Sequence, residues 1–543
     1  MMAPGFDGCS NGRASVPSGK TIAVCARFTT GRRDVFMRTA LFRIPGGTSA
    51  TRGYWFVLAI IFLVPRLFRL LYPEVWLEDP YYLYASRLIA GGAVPFRDFG
   101  HTQLPGAEYL LAWLYLIFGA SLRTAEIASQ IVVYLSTWLI FLIGSRLKDR
   151  TAGIGSGILF SCSALVFRYH VWEREILILF ILALAFYLIL TREKLNDKRA
   201  VVLGLLFGAG VFIKMTTAVP LAAAILFLAF IRKDLVHATI AALAAFIFIT
   251  LALGCLFFLA PGDFFNQALL YHFVKGETVS SLGLRLSFQL HALDVSLAAG
   301  LLGLFFLKKT MFPDFWFPVF VTLADWVFFT FISPNVWPHN FIPALLLLSL
   351  SGGILVSSLR HFLVRQHQLL RPAIIVAAFV LLLATFIPLR NMNWIMGEPF
   401  GFGYIPREDI HALSEWVRTK TTGDDLLLIP QYIASESGRR TVMSDRVEAA
   451  GVLAWIGRNR KAGLGPQAII RLAQGNTFAQ MQRKTLSAGW GTIDALLQRH
   501  KIRFVVPDFV PGETIPYGPE QLAQYGYAPF QQYGRYTVWS VPL

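Results

Sequence analysis

The sequence predicts an all-α polytopic membrane domain followed by a soluble α/β domain, on three observations. Hydrophobic residues make up 55% of the 543 residues and charged residues only 15%, whereas soluble domains carry about 25% charged residues. Apolar runs that approach the ~20 residues of a membrane-spanning helix alternate with short charged loops. Beyond residue 390, mixed charges with frequent Gly and Gln replace these runs. Because lipid offers no partners for backbone amides, the spans are expected to be helical.

The first 53 residues are polar, Gly-rich and Arg-rich, and they lack an early apolar core. We therefore predict a disordered cytoplasmic leader without a cleavable signal peptide, with Met37 as an alternative start of translation. The membrane domain is predicted over residues 54–390, with a large first outer loop at 72–123. Within that loop the apolar stretch 109–118 is too short to cross and is expected at the membrane interface. About eleven spans are expected, at residues 54–71, 127–144, 152–167, 176–190, 200–213, 218–231, 236–260, 292–307, 312–331, 341–359 and 372–389.

The net charge of +17 is spread over alternate short loops rather than gathered on one soluble face. This pattern indicates membrane orientation and argues against a nucleic-acid partner. We expect a multi-pass protein of the cell (inner) membrane with a cytoplasmic N-terminus and an extracytoplasmic C-terminal domain at 391–543. Short strands are predicted there at 426–429, 504–507 and 536–541, and amphipathic helices at 410–418 and 468–473. The four cysteines show no spacing of a metal site or disulfide scaffold.

Two adjacent carboxylates, Glu78 and Asp79, lie in the first outer loop among aromatic residues that suit the headgroup region. One of them is a candidate general base toward an acceptor hydroxyl, because the membrane surface would partly desolvate it. Its neighbour would hold a metal or the acceptor. The alternative is a solvated acidic loop beside an aromatic belt.

A second acidic cluster, Glu173, Arg174 and Glu175, is expected in the short outer loop between the third and fourth predicted spans. Ionisable groups at the edge of the bilayer are costly unless they are paired or functional. Because this loop and the first outer loop face the same side, the two clusters can converge on one site. The alternative is a local Glu–Arg salt bridge that caps a helix.

Two cationic or titratable residues at the predicted outer face are candidate phosphate ligands. Lys214 ends an apolar run and is suited to a phosphate as a point charge, although a snorkelling lysine is the alternative. His339 begins the tenth predicted span and is a candidate ligand of phosphate or metal, with a structural histidine as the alternative. Asp314 and Asp325 lie in or near the ninth span and receive no role. No HxxxH pair, Walker loop or GxSxG elbow is present.

Several of these segments together resemble the GT-C glycosyltransferases, in particular the branch of dolichyl-phosphate-mannose protein mannosyltransferases and aminoarabinose (lipid A) transferases. The resemblance rests on Arg66, Arg69, the segments WLEDPYYLYA (76–85) and VPFRDF (94–99), Lys214 and the segment HNFIP (339–343). It extends over most of the chain after the leader, with each short motif in the expected order.

The resemblance implies a polyprenyl-phosphate sugar donor and a catalytic acid in the first outer loop, which transfers best to Glu78. The family usually has Asp then Glu where this chain has Glu78 then Asp79, so either residue is a candidate base. The second family acid corresponds to Glu175 or Glu173, and Lys214 to the lysine that meets the lipid phosphate, with Arg174 or a divalent cation as further support. A divalent metal would have Glu78, Asp79 and His101 as its candidate ligands.

The expected reaction is an inverting transfer of a sugar to a hydroxyl of a glycan, lipid or protein acceptor at the outer face of the membrane, with membrane lipid as a further partner. A polytopic transporter is the main alternative, but transporters usually show inverted repeats and midplane binding residues. This chain instead concentrates its acids in outer loops. A non-catalytic lipid-glycan assembly protein with the same fold is the other alternative.

Overall fold

The computed structural model describes residues 49–71, 74–75, 80–163, 165–166, 171–190, 195–275, 282–283, 285–286, 298–307, 312–333, 336, 338–366, 405–442, 447–474, 493–507, 517–534 and 536–542. The chain divides into two units, residues 1–60 and 61–543. In the first unit, residues 49–60 are described, and all of them belong to one helix.

Helices dominate the described part of the chain up to residue 366. They are α1 (Ser49–Leu71), α2 (Pro80–Ala90), α3 (Gly106–Phe118), α4 (Leu122–Leu147), α5 (Arg150–Ser161), α6 (Arg174–Ile189), α7 (Asp197–Ile213), α8 (Ala218–Leu226), α9 (Leu235–Leu259), α10 (Pro261–Phe264), α11 (Tyr271–Val274), α12 (Phe312–Val327) and α13 (Ala344–Gln366). Wider π-helical turns extend α8 to Ile231, join α10 to α11, and extend α12 to Ile332.

Short polar side chains fix where several of these helices begin. Ser121, Asp149, Asn196 and Asp234 each precede a helix, and each side chain accepts a hydrogen bond from a backbone N–H of the first turn. Such caps satisfy amides that have no partner inside the helix. The sequence thereby marks the start of α4, α5, α7 and α9.

Four helical segments among the described residues are long and apolar enough to cross a bilayer: Leu122–Leu147, Leu235–Leu259, Pro313–Ile332 and Ala344–Phe362. Together with the fold, they show a multi-pass membrane protein. Of the other predicted spans, 54–71 coincides with α1, four coincide with shorter helices, and 292–307 and 372–389 lie partly or wholly outside the described residues. The count of eleven therefore stays a prediction. Helix α3 spans the predicted interfacial stretch and, at 13 residues, is too short to cross.

Small residues let the membrane helices approach closely. A Cβ atom added to Gly353 of α13 would lie 2.3 Å from the carbonyl oxygen of Ala152 in α5, and one added to Gly204 of α7 would lie 2.3 Å from that of Ala241 in α9. Lipid provides no hydrophobic force between helices, so such close backbone packing contributes much of their association.

The C-terminal region contains a mixed four-stranded sheet. Its strands are β3 (Leu427–Leu428), β4 (Phe504–Val505), β5 (Ala528–Tyr533) and β6 (Tyr536–Ser540), in the order β3-β4-β6-β5. The β3–β4 pair is parallel and the other two pairs are antiparallel. Strands lie at the three predicted places, whereas β5 was not predicted. The helices of this region are α14 (Arg407–Lys420), α15 (Gln431–Ser437), α16 (Val447–Lys461), α17 (Pro466–Ala473) and α18 (Pro519–Gln524), and α14 and α17 cover the two predicted amphipathic helices.

The segment predicted as the first outer loop is in direct contact with this C-terminal region. Strand β1 (Glu74–Val75) pairs antiparallel with β2 (Ile405–Pro406). Farther along the loop, Arg87 of α2 donates a hydrogen bond to the carbonyl oxygen of Ser435 in α15. The hydroxyl of Tyr84 accepts one from the amide of Thr441 at 3.2 Å. The C-terminal region therefore contacts the loop on both sides of residues 78–79 in the sequence.

Candidate active site

The two acids predicted to provide the general base, Glu78 and Asp79, lie outside the described residues. The structure describes the backbone on either side of them, strand β1 up to Val75 and helix α2 from Pro80. Tyr82, in the first turns of α2, lies under the guanidinium of Arg174, whose Cζ atom is 4.0 Å from the ring centroid. The helix that follows the acidic pair thus contacts the second acidic cluster.

The second acidic cluster is part of a helix and is buried, which corrects the prediction of an outer loop. Glu173 is the N-cap residue of α6, and Arg174 and Glu175 belong to its first turn. All three side chains are buried. The preceding residue, Trp172, has a φ of +45°, a left-handed conformation that is strained for a bulky side chain. Its Nε1–H donates to the carbonyl oxygen of Ala107 in α3 at 2.8 Å, which holds the turn in place.

Glu175 forms a buried ion pair with Lys214. The ammonium group of Lys214 also donates a hydrogen bond to Oδ1 of Asn340 at 2.9 Å, and Nε2 of His339 lies 3.6 Å from Oε1 of Glu175. Lys214 keeps 14% of its side chain exposed, against 3% for Glu175. Three separate parts of the chain therefore meet at one ammonium group, and the side chain that carries it is partly exposed.

Lys214, His339 and Asn340 all lie where α-helical structure is interrupted. Lys214 is the C-cap of α7, and its extended backbone (φ −153°, ψ 122°) turns the chain into a 3₁₀ turn, Met215–Thr217. His339 and Asn340 lie in another 3₁₀ turn, Pro338–Phe341, before α13 begins at Ala344. His339 therefore precedes the helix that it was predicted to begin. Asn340 belongs to the segment that carried the resemblance, but the sequence analysis gave it no role.

A second buried ion pair joins α3 to α6. Arg174 pairs with Glu108, and both side chains are almost wholly inaccessible to solvent. The local Glu–Arg bridge considered from the sequence is therefore wrong, because the partner of Arg174 lies 66 residues away. Burial raises the pKa of the Glu108 carboxyl, and the positive charge of Arg174 opposes this shift. Glu108 was not among the predicted site residues, although an acid beside an apolar run is the signal that identifies such a residue.

His101, a predicted metal ligand, lies in an aromatic environment beside this ion pair. Its ring stacks on Tyr81 with centroids 5.3 Å apart, and its Nδ1 atom is 2.7 Å from the Tyr81 hydroxyl. Its Nε2 atom is 3.8 Å from Oε1 of Glu108. The backbone amide of His101 donates to Gln267 at 2.7 Å. These contacts give His101 a part in joining α2, α3 and the segment after α9.

The start of α3 packs on the end of α7, and the loop before α3 is bonded to α11. A Cβ atom on Gly106 would lie 2.6 Å from the carbonyl oxygen of Phe212, so only glycine allows α3 to approach the end of α7 this closely. His272 of α11 donates from Nε2 to the carbonyl oxygen of Thr102 at 2.6 Å. Burial, aided by the nearby charge of Lys275, lowers the pKa of His272 to about 3, so the donor is a neutral imidazole.

Glu173, Glu175 and His339 form a group that fits a divalent cation. Each offers one ligand atom, and these atoms lie within 4.8 Å of one another. Two carboxylates and an imidazole are a common donor set for zinc and other divalent metals. Glu175 already pairs with Lys214, so a cation here would compete with that ammonium group. His101 does not belong to this group, and the predicted set of Glu78, Asp79 and His101 stays a prediction.

The chain resembles proteins of known class in both sequence and fold. Residues 101–258 match the family described as dolichyl-phosphate-mannose-protein mannosyltransferase. Among solved structures, ArnT from Cupriavidus metallidurans in the apo state is 12% identical and superposes with a TM-score of 0.61 over 91% of this chain and 98% of that chain. The same protein bound to undecaprenyl phosphate, also 12% identical, gives 0.60 over 90% and 98%. No curated protein sequence matches the chain significantly.

These similarities confirm the resemblance that the sequence analysis identified, to GT-C glycosyltransferases of the mannosyltransferase and ArnT branch. The fold of ArnT extends over almost the whole chain, including the C-terminal region. The residues matched by the mannosyltransferase family contain Glu108, the Glu173–Glu175 cluster and Lys214, whereas His339 and Asn340 lie beyond them. The structure thus brings His339 and Asn340, which lie beyond the matched residues, next to Lys214 and Glu175.

Proposed function

We propose that the chain is a membrane glycosyltransferase that transfers a sugar from a polyprenyl-phosphate donor to an acceptor hydroxyl. One observation supports this proposal more than any other: Lys214 is held at a helix end by Glu175 and Asn340 while part of its side chain stays exposed. A fixed ammonium group of this kind suits the phosphate of a donor lipid. The undecaprenyl phosphate named for ArnT of the same fold supports the same donor class.

In the proposed reaction a carboxylate from the first outer loop, Glu78 or Asp79, removes the proton of the acceptor hydroxyl. The acceptor oxygen then forms a bond to the anomeric carbon as the bond from that carbon to the phosphate oxygen breaks, and the configuration inverts. The lipid phosphate leaves with the electron pair. Lys214 stabilises the negative charge that develops on it, and Asn340 keeps the ammonium group in position.

Glu175 has a different task in this proposal, because a carboxylate bound to an ammonium group is a poor base. It balances the charge of Lys214 in the donor-free protein, where an unpaired buried cation would be costly. When the donor phosphate binds, it takes over this partnership. A divalent cation held by Glu173, Glu175 and His339 would supply additional positive charge near the phosphate. The extracytoplasmic location of the reaction and the nature of the acceptor belong to this proposal as well.

The test is sugar transfer by the purified full-length protein from a labelled polyprenyl-phosphate sugar. The wild type is expected to transfer label to an acceptor lipid or glycan fraction. Replacing the base by alanine is expected to reduce the rate roughly 10²–10⁴-fold, in either Glu78→Ala or Asp79→Ala. Full activity in both variants would defeat the base assignment. Absence of transfer, with label either moved across a vesicle membrane or only bound, would favour the transporter or the non-catalytic assembly protein.

A further inference from the structure

The C-terminal region carries a basic helical hairpin, α16 and α17 with the turn between them, residues 447–474. Within it Arg458, Arg460, Lys461 and Arg471 are the cations, and Glu448 is the only acid. All four cationic side chains are exposed. Gly463 makes the turn with a φ of +85°, which glycine adopts without strain. The hairpin thus presents concentrated positive charge that takes no part in the proposed site.

The apolar face of this hairpin packs on the segment that directly follows a membrane span. Val452, Ile456, Ile469 and Ala473 of the hairpin form a core with Leu270, Tyr271 and Val274. That segment starts at Pro261, two residues after α9 ends. Only 11% of the most apolar window of α9 is buried, so α9 is a span whose surface is left to lipid. The hairpin is therefore fixed close to the point where a lipid-facing helix leaves the bilayer.

Exposed apolar side chains lie beside the cations. Leu472 follows Arg471 in α17 and is 50% exposed, and Phe273, between two residues of α11 that pack on the hairpin, is 66% exposed. Helices that rest on a membrane surface combine exposed basic residues with apolar side chains that enter the headgroup region. A hairpin that faced only water would gain nothing from Leu472 and Phe273.

We propose that the basic hairpin rests on the membrane surface and that its four cations contact the phosphate groups of anionic phospholipids. Charge complementarity selects this partner, because the hairpin carries four cations, one acid and adjacent apolar side chains. Each basic residue near an anionic surface contributes roughly fivefold in lipid association. The contact anchors the C-terminal region to the bilayer beside α9 whether or not the protein transfers a sugar.

The proposal is tested by photo-crosslinking in the full-length protein. A benzophenone amino acid replaces Leu472, and the protein is reconstituted in nanodiscs of phosphatidylcholine alone or with phosphatidylglycerol. Lipid adducts are measured by mass spectrometry. We expect adducts at position 472 that are enriched in phosphatidylglycerol over its share of the bilayer, and an enrichment that falls as salt screens the charges. No lipid adduct in either nanodisc would overturn the proposal.

Charge variants separate this contact from a general effect of charge. Two triple variants are made in the protein that carries benzophenone at position 472. The glutamate variant, with Arg458→Glu, Arg460→Glu and Lys461→Glu, is expected to abolish the phosphatidylglycerol enrichment. The variant with glutamine at the same three positions is expected to reduce the enrichment severalfold. Arg499→Glu with Lys501→Glu, two exposed cations before β4, is the matched control and is expected to leave it unchanged. Equal melting temperatures establish that each variant is folded. Undiminished enrichment in the folded triple variants would contradict the proposal.

Discussion

The carboxylate of Glu175 and the ammonium group of Lys214 form a buried ion pair that joins the first turn of α6 to the C-cap residue of α7. The neighbouring residue, Arg174, pairs with Glu108 in α3. Two adjacent residues in the first turn of α6 therefore pair with different helices: Arg174 with α3 and Glu175 with the end of α7. The candidate active site depends on both pairs, and each leads to separate expectations.

The first prediction concerns Glu175 as the ion-pair partner of Lys214, which a donor phosphate has to replace. Glu175→Gln removes the negative charge that competes with a phosphate, so we expect polyprenyl phosphate to bind roughly tenfold more tightly. Transfer should nevertheless slow, because Lys214 loses the partner that orients it. Native mass spectrometry measures the binding constant, and the labelled-sugar assay measures kcat. Weaker binding by Glu175→Gln would show that the carboxylate helps phosphate binding rather than competing with it.

The second prediction concerns the buried pair of Glu108 and Arg174. Glu108→Gln leaves the guanidinium without its counter-charge, which should lower the free energy of unfolding by roughly 3–5 kcal/mol. The double variant Glu108→Leu with Arg174→Met removes both charges and should regain most of that loss. Unfolding in mild detergent measures these changes. Glu415→Gln removes an exposed i,i+3 partner of Arg418 and should have no measurable effect. A double variant no more stable than Glu108→Gln would contradict a loss that comes from the unpaired guanidinium.

The third prediction follows from the contact of α3 with the end of α7. The Cβ atom in Gly106→Ala would meet the backbone of Phe212, two residues before Lys214. We expect a loss of roughly 1–3 kcal/mol in unfolding free energy from overpacking and slower transfer because Lys214 is displaced. Gly254→Ala is the matched control, because a Cβ there meets no atom within 4 Å. Equal activity of the two variants would exclude a tight α3–α7 contact.

The fourth prediction concerns pH. The pKa of His272 is about 3 in the folded protein and about 6.5 in an unfolded chain. The unfolded chain therefore binds the extra proton first as pH falls, and stability decreases below pH 6.5 toward pH 3. Between pH 7 and pH 5, protonation of His272 in the unfolded chain lowers the free energy of unfolding by roughly 2 kcal/mol. The unfolding midpoint should therefore depend less on pH in His272→Gln than in the wild type. An unchanged dependence would contradict a buried neutral imidazole.

The sequence predicted what depends on local pattern. Apolar runs placed the membrane helices, and side-chain caps such as Ser121 and Asp149 agree with where they start. Short segments rich in apolar, β-branched or aromatic residues placed three of the strands in the C-terminal sheet. Strand β5, with Pro529 and two glutamines among its residues, is not such a segment. Strands β1 and β2 have two residues each and depend on a partner about 330 positions away along the chain, which no local pattern reveals.

The candidate site was predicted in its composition but not in its pairing. Charge and position selected Arg174, Glu175, Lys214 and His339, because ionisable residues near the bilayer are rare unless they are paired or functional. Their partners follow from the packing of α3, α6 and α7. Glu108 was missed because the apolar stretch was taken to start one residue later, at 109. Arg174 and Glu175 were predicted in a loop because the span was expected to begin at the first apolar residue after these charges, whereas the helix begins at Arg174.

Binding of polyprenyl phosphate to the purified protein measures whether Lys214 holds the donor phosphate. Lys214→Met should weaken binding roughly 10- to 100-fold, which is the worth of one charge-assisted hydrogen bond. Lys148→Met is the matched control, because Lys148 is likewise a helix C-cap residue, that of α4, and it donates to Ser358 and Ile354 away from the candidate site. We expect wild-type affinity for Lys148→Met and an affinity roughly 10- to 100-fold lower for Lys214→Met. Equal affinity in all three proteins would show that Lys214 does not bind the donor phosphate.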